Sequence, residues 1–152
     1  MLIGVISDTH GLLRPEALTA LAEAEHILHA GDVGDPAILD RLRQIAPVTA
    51  IRGNIDTSGP CADLPPIEIV ELDGRLFYML HSIRDLDIHP KAADVSVVVS
   101  GHSHQPSIEH RDGVLYLNPG SAGPRRFQLP TSVALVTVAP EGVQARIVEL
   151  PV

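Results

Sequence analysis

The chain has no tryptophan, one cysteine, one lysine and an aromatic share of only 3%. So few aromatics leave the core to be built from Leu, Ile, Val and Ala, within an apolar share of 45%. The lone Cys61 excludes an internal disulfide and fits a reducing compartment. No apolar stretch approaches the roughly 18 residues of a membrane span, so no membrane association is expected. The opening run Met1-Leu2-Ile3-Gly4-Val5-Ile6-Ser7 carries neither a basic segment nor a small-residue cleavage site. A secretory signal is therefore not expected, and the cytoplasm is the expected location. Lys91 stands beside ten arginines against an acidic majority, for a formal net charge of −8. An acidic chain repels nucleic-acid backbones, so bulk nucleic-acid binding is not expected. The nearest approach to a basic patch is Arg125-Arg126, with Arg52 as a spatial neighbour.

At 152 residues the chain is read as one domain, residues 1–152, able to bury about two-thirds of its unfolded surface. Its first part alternates strand and helix. Residues 2–7 form a β-branched apolar run, the pattern of a strand buried on both faces. Pro15 opens a helix running to about Glu23, and a short strand near 27–29 leads into Ala30-Gly31-Asp32. A second helix begins at Pro36, with Ile38, Leu39, Leu42 and Ile45 on one face, and a strand over 48–52 delivers Gly53-Asn54. Strand–helix–strand–helix–strand implies a parallel sheet. Beyond residue 66 strands dominate. Runs over 67–72 and 75–80 join through Asp73-Gly74, and runs near 107–111 and 114–117 through Asp112-Gly113, both strong hairpin signals. A polar, helical segment is expected over 84–93, a buried strand over 95–100, and two last strands near 132–138 and 143–149. This is more sheet than one layer holds, so two sheets packed face to face with helices outside are expected.

Polar phrases close the apolar runs: Ser7-Asp8-Thr9-His10, Gly31-Asp32, Gly53-Asn54-Ile55-Asp56 and Gly101-His102-Ser103-His104, with His81 ending a fifth. In Asp8-x-His10, side chains two apart on an extended segment point the same way, so a carboxylate and an imidazole reach one metal. The same residues would also suit a turn or helix cap. In Gly101-His102-Ser103-His104 the glycine permits a sharp turn, and the two imidazoles either diverge onto neighbouring ions or share one. Gly-Asp and Gly-Asn are ordinary turn dipeptides, but here they follow strands of one parallel sheet, where α/β proteins place ligands. Asp8, His10, Asp32, Asn54, His81, His102 and His104 thus form a mixed oxygen and nitrogen set. Such a set suits Mn, Fe, Zn, Ni or Co. His26, His29, His89 and His110 have no such context and are read as surface residues or as neighbours of the ligands.

Taken in order, Asp-x-His, Gly-Asp, Gly-Asn-x-Asp, a lone His and Gly-His-x-His resemble the calcineurin-like metallophosphoesterase superfamily. The small size, Gly53-Asn54-Ile55-Asp56 and Asn118-Pro119-Gly120-Ser121 resemble its compact bacterial and archaeal phosphodiesterase branch. The match runs from Ile3 to about Val138. The resemblance implies a four-layer α/β/β/α sandwich of two mixed sheets with flanking helices and two divalent transition-metal ions at its edge, manganese foremost. It implies that Asp8, His10 and His104 hold the first ion, that Asp32 bridges, and that Asn54, His81 and His102 hold the second. It also implies a hydroxide between the ions, about 3.5–4 Å apart, as the nucleophile for in-line attack on phosphorus, with no protein nucleophile. Asp56, Arg52 and Arg125 are expected to support the ligands or touch the substrate, a small phosphate ester.

Two positions depart from the family pattern. Ile55 stands where many relatives carry a histidine proposed to protonate the leaving group, and Ser82 follows His81 where glycine is common. The first departure implies leaving groups that need little protonation, or protonation by solvent or another residue. The competing readings are a phosphomonoesterase and a non-catalytic protein-interaction scaffold on the same fold. Relatives in the compact branch are often dimers or tetramers, so a homodimer or homotetramer is compatible with the resemblance.

Overall fold

The computed structural model describes residues 1–152 and contains ten strands and two α-helices. The first half is β1 (Leu2–Ile6), α1 (Pro15–Ala20), β2 (His26–His29), α2 (Pro36–Arg43) and β3 (Val48–Ala50). The second half is β4 (Ile67–Leu72), β5 (Arg75–Leu80), β6 (Val95–Val99), β7 (Ser107–Arg111), β8 (Val114–Asn118), β9 (Ser132–Ala139) and β10 (Gly142–Glu149). One sheet runs β10-β9-β1-β2-β3 and the other β4-β5-β6-β8-β7. In the first, β1, β2 and β3 are parallel and β9 and β10 add antiparallel on the β1 side; in the second, parallel β5, β6 and β8 are flanked on both sides by antiparallel β4 and β7. No helix is long and apolar enough to cross a membrane.

Alternation along β1 explains the layers. Ile3 and Val5 point into the space between the sheets, where they meet Leu28, Phe77, Met79, Val97 and Val99. Ile6 points the other way, into a second cluster with Leu21, Leu39 and Leu42 from the helical layer. Burying each such side chain contributes about 1.5–3 kcal/mol relative to exposure, so the two sides of the first sheet carry most of the apolar driving force. The outer face of the second sheet is covered by Leu86 and Ile88, packed on Tyr78, Leu80 and Val98.

The two-sheet α/β sandwich is as the sequence leads one to expect, and both Asp-Gly turns are tight hairpins. Asp73 and Gly74 have φ of 50° and 81°, and Asp112 and Gly113 have 51° and 80°. Two positive φ values in succession match the strand twist that two-residue hairpins require. Three local expectations need correction. Helix α1 ends at Ala20, because the amides of Ala22 and Ala24 bond three residues back, to Thr19 and Leu21, and tighten the chain into turns. Strand β3 stops at Ala50 because Arg52 turns its amide to Pro65. Residues 84–93 form no α-helix, only a 3₁₀ turn over Ile83–Asp85 followed by loop. Pro90 has no amide hydrogen and disfavours helical geometry at His89. The outermost layer on this side is therefore a wrapped loop.

Candidate metal centre

Strands β1, β2, β3, β5 and β6 all end at the same edge of the sandwich, and their following loops carry the polar phrases. Asp8, Asp32 and Asn54 come from the first sheet; His81, His102 and His104 come from the second. The loops are strained where the candidate ligands sit. Asp8, His10, Asp32, His102 and His104 have φ of 56°, 47°, 55°, 70° and 62°, five of the nine positive-φ residues that are not glycine. Each such conformation costs on the order of 1–3 kcal/mol and persists only where its surroundings enforce it.

These angles overturn the extended Asp8-x-His10 segment. β1 ends at Ile6, and the two side chains meet because both residues turn left-handed. The turn is fixed from the neighbouring loop: Asp8, His10 and Gly11 donate their amides to the carbonyls of Gly31, Asp32 and Val33, each at 2.9 Å. Ser82 departs less than its chemistry suggests. Its φ of −112° is ordinary extended backbone, which accepts a side chain.

Five candidate ligands converge. Asp8 Oδ1 lies 3.3 Å from His104 Nε2 and 3.8 Å from both His10 Nε2 and His81 Nε2. Asp32 Oδ2 lies 3.3 Å from His10 Nε2 and 3.2 Å from His81 Nε2. Ligand atoms of Asp8, His10 and His104 form one compact group, and those of Asp8, Asp32 and His81 another. The histidine pair diverges: His104 packs against His10 with ring centroids 5.3 Å apart, and His102 meets His81 edge-on at 5.2 Å. His102 and Asn54 are exposed and line a cleft with His81 rather than joining the buried groups.

The surroundings aim the ligand atoms. Asp8 Oδ2 accepts from Ser7 Oγ at 2.6 Å and from the His102 amide at 3.1 Å, leaving Oδ1 for the centre. Asp32 Oδ1 accepts from the Ile55 amide at 3.0 Å, leaving Oδ2. His81 Nδ1 donates to the Ala30 carbonyl at 2.7 Å, so the Nε2 lone pair faces the two carboxylates. Asp56, 5% exposed, accepts from the amides of Val33, Gly34 and Gly53 at 2.9–3.1 Å and ties the Asp32 loop to the Asn54 loop. Asn118 Nδ2 donates to the Gly101 carbonyl, and Ser121 Oγ to the Asp8 carbonyl. Glycine is required where loops cross: a Cβ on Gly53 would sit 2.1 Å from Asp32 Oδ1, and one on Gly101 would sit 2.5 Å from Asp8 Oδ2.

Electrostatics follow from the geometry. Burial pushes the Asp8 carboxyl up, against the hydrogen bond from Ser7 and the nearby His81 and His104. For Asp32 burial acts the same way but is outweighed by His81, the Ile55 amide and His10, which hold it at about 2. Burial pulls His81 down, and Asp32, the Ala30 carbonyl and Asp8 overcome it, so the ring is raised. Asp8 Oδ1, His10 Nε2 and His81 Nε2 are all buried without a hydrogen-bond partner, as is His104 Nδ1. Orphaned buried groups cost about 1–3 kcal/mol each. Carboxylate oxygens facing imidazole Nε2 atoms are the donor set of divalent transition metals, which would take up Asp8 Oδ1, His10 Nε2 and His81 Nε2. The residues fit such ions.

Other positions fall out differently. Arg52 gives its guanidinium to the Leu64 carbonyl at 3.1 Å while lining the Asn54 cleft. Arg125 is exposed beside His10 and His104. His29, read as a surface residue or a neighbour of the ligands, is completely buried. Its Nδ1 accepts the Gly31 amide, so Nε2 carries the proton and donates to Thr9 Oγ1 at 3.0 Å. Two arginines that the motifs do not mark, Arg84 and Arg126, line clefts beside His102, and neither pairs with a carboxylate. The only signal for Arg84 was its place three residues after His81.

A model of the calcineurin-like phosphoesterase superfamily domain matches residues 1–141. A probable metallophosphoesterase of Methanothermobacter thermautotrophicus is 34% identical, over 97% of this chain and 92% of its own length. A phosphodiesterase of Methanocaldococcus jannaschii is 29% identical, over 86% of this chain and 90% of its own. Among solved structures, Vps29 of Chaetomium thermophilum shares the fold with a TM-score of 0.77 at 21% identity, covering 99% of this chain and 98% of that one.

Proposed function

The chain belongs to the calcineurin-like phosphoesterase superfamily, and from that premise we propose that it is a metal-dependent phosphodiesterase acting on a small phosphate ester. The observation that carries the reading is the approach of His10 Nε2 and His81 Nε2 to Asp8 Oδ1, at 3.8 Å each, all three atoms buried and unpartnered. A protein-interaction scaffold has no use for three such atoms, each of which costs stability while unpaired.

In this reading Asp8, His10 and His104 would hold one ion, Asn54, His81 and His102 would hold the other, and Asp32 would serve both. Divalent transition-metal ions, with manganese proposed, would supply Lewis acidity there, since two ligating carboxylates leave excess positive charge to favour a phosphate anion and a more acidic water. The chain supplies orientation. Ala30 and Ser7 fix the directions of His81 and Asp8, and Asp56 holds the two loops in register. Arg84 and Arg126 bring unpaired cationic donors to phosphate oxygens. Ile55, 41% exposed at the rim, donates no proton. Leaving groups that depart without a proton are therefore favoured. The Methanocaldococcus relative named a phosphodiesterase supports diesters over monoesters as substrates.

The test is hydrolysis of bis(p-nitrophenyl) phosphate by metal-stripped protein before and after Mn²⁺, with metal content measured in parallel. Activity that appears with metal and vanishes in His81→Ala is expected. Metal bound at both positions with no diester hydrolysed would overturn the phosphodiesterase reading, and no bound metal would leave the scaffold in its place.

A further inference from the structure

Two clefts open beside the candidate centre, of about 470 and 540 Å³, and they share Ser82, Arg84 and His102 as a common wall. The larger runs past Asn54 and Arg52. The smaller runs from His102 to Phe127 and is lined by Ile83, Tyr116 and Leu129, with Arg84 and Arg126 among its polar groups. Both volumes fall within the range of small-molecule sites, roughly 300–1,000 Å³.

Phe127 is the anomaly. It is 89% exposed, in a chain with only two phenylalanines, and its φ of 55° is left-handed. An exposed aromatic held in that conformation buries nothing and relieves nothing in the protein alone. The other aromatic of the cleft, Tyr116, already has one ring face covered by the Arg111 guanidinium, 4.9 Å from its centroid. Phe127 therefore presents an uncovered ring to this cleft.

We propose that the His102–Phe127 cleft is the subsite for one ester substituent of the substrate, and that this substituent is flat and aromatic, an aryl group or a nucleobase, stacked on Phe127. The inference rests on the phosphodiesterase reading and adds the substrate class. A phosphodiester has two organic substituents on one phosphorus, and the two clefts meet at His102 and Arg84, beside the candidate ligands. A monoester would leave one of them empty. Arg84 and Arg126, at the cleft walls, favour a substituent that stays attached to an anionic phosphate.

Phe127→Ala removes the ring from an exposed position and leaves the core untouched, so folding is preserved. With metal-loaded protein, KM for bis(p-nitrophenyl) phosphate is expected to rise about fivefold, the size of one lost stacking contact, with kcat within about twofold. Phe127→Trp is expected to restore it. Calorimetric binding of diphenyl phosphate should weaken by a similar factor in Phe127→Ala, and binding of dimethyl phosphate should not change. An unchanged KM, or equal weakening of both phosphates, overturns the subsite. A wild-type protein that hydrolyses no diester, yet binds diphenyl phosphate in a Phe127-dependent way, overturns the reaction and upholds the subsite.

Discussion

His81, at the end of β5, donates its Nδ1 proton to the carbonyl of Ala30, at the end of β2, over 2.7 Å. That bond crosses from one sheet to the other and chooses the tautomer of the ring. The Nε2 lone pair is left facing Asp32 Oδ2 at 3.2 Å, an arrangement that only a proton or a metal ion stabilises.

Proton and metal therefore compete for His81. Because Asp32, the Ala30 carbonyl and Asp8 raise the ring above its ordinary value despite burial, the metal-free ring holds its proton to higher pH than an ordinary imidazole. Metal binding should release that proton, and affinity should fall about tenfold per pH unit below the raised pKa. Calorimetric titrations with Mn²⁺ between about pH 8 and pH 6, in buffers of different ionisation enthalpy, measure both. An affinity independent of pH across that range would refute the competition.

Asp56→Ala leaves the amides of Val33, Gly34 and Gly53 without their acceptor. The expected loss is about 3 kcal/mol in the metal-free protein, since charge-assisted bonds to buried donors are the strong ones. That corresponds to roughly 10 °C in melting temperature for a domain of this size. Denaturant unfolding of the variant checks it, and Asp56→Asn should recover part of the loss.

Ile55→His places a proton donor at the rim, where Ile55 is now exposed. For diesters with good leaving groups the rate should change little. For alkyl leaving groups kcat should rise about a hundredfold, the lower range of general acid catalysis. A series of aryl and alkyl diesters reads this out as a shallower dependence of rate on leaving-group pKa in the variant.

His29 makes stability depend on acidity. Complete burial lowers its pKa to about 4, against 6.5 for the ordinary imidazole. Between these values the unfolded chain binds a proton that the folded chain does not, so this contribution is full above about pH 6.5 and lost as pH falls toward 4. A gap of about 2.5 units is worth about 3 kcal/mol. Unfolding of the metal-free protein at pH 7 and pH 4.5, compared with His29→Gln, should show most of that difference disappearing in the variant.

Much of this molecule is legible in the order of its residues. Apolar runs that end in Gly31-Asp32, Gly53-Asn54 or Gly101-His102 mark strand ends, and Asp73-Gly74 and Asp112-Gly113 mark hairpins, because those turns follow from local backbone chemistry. What escapes is set by contacts distant in sequence. Asp8 and His10 meet through left-handed turns imposed by the loop at residues 31–33, a geometry that spacing along an extended chain does not contain. The burial of His29 depends on the Thr9 loop lying over it. Arg84 and Phe127 share a cleft only because the loops after β5 and β8 lie side by side, and neither belongs to a motif.

The candidate ligands are divided between two sheets that meet across one apolar core. A chain in which either sheet has melted keeps half a set and binds nothing well. Metal uptake thus counts folded molecules: titrated against total protein, the bound fraction gives the proportion of a preparation that is native, and a partly assembled chain registers as silent rather than as weakly competent.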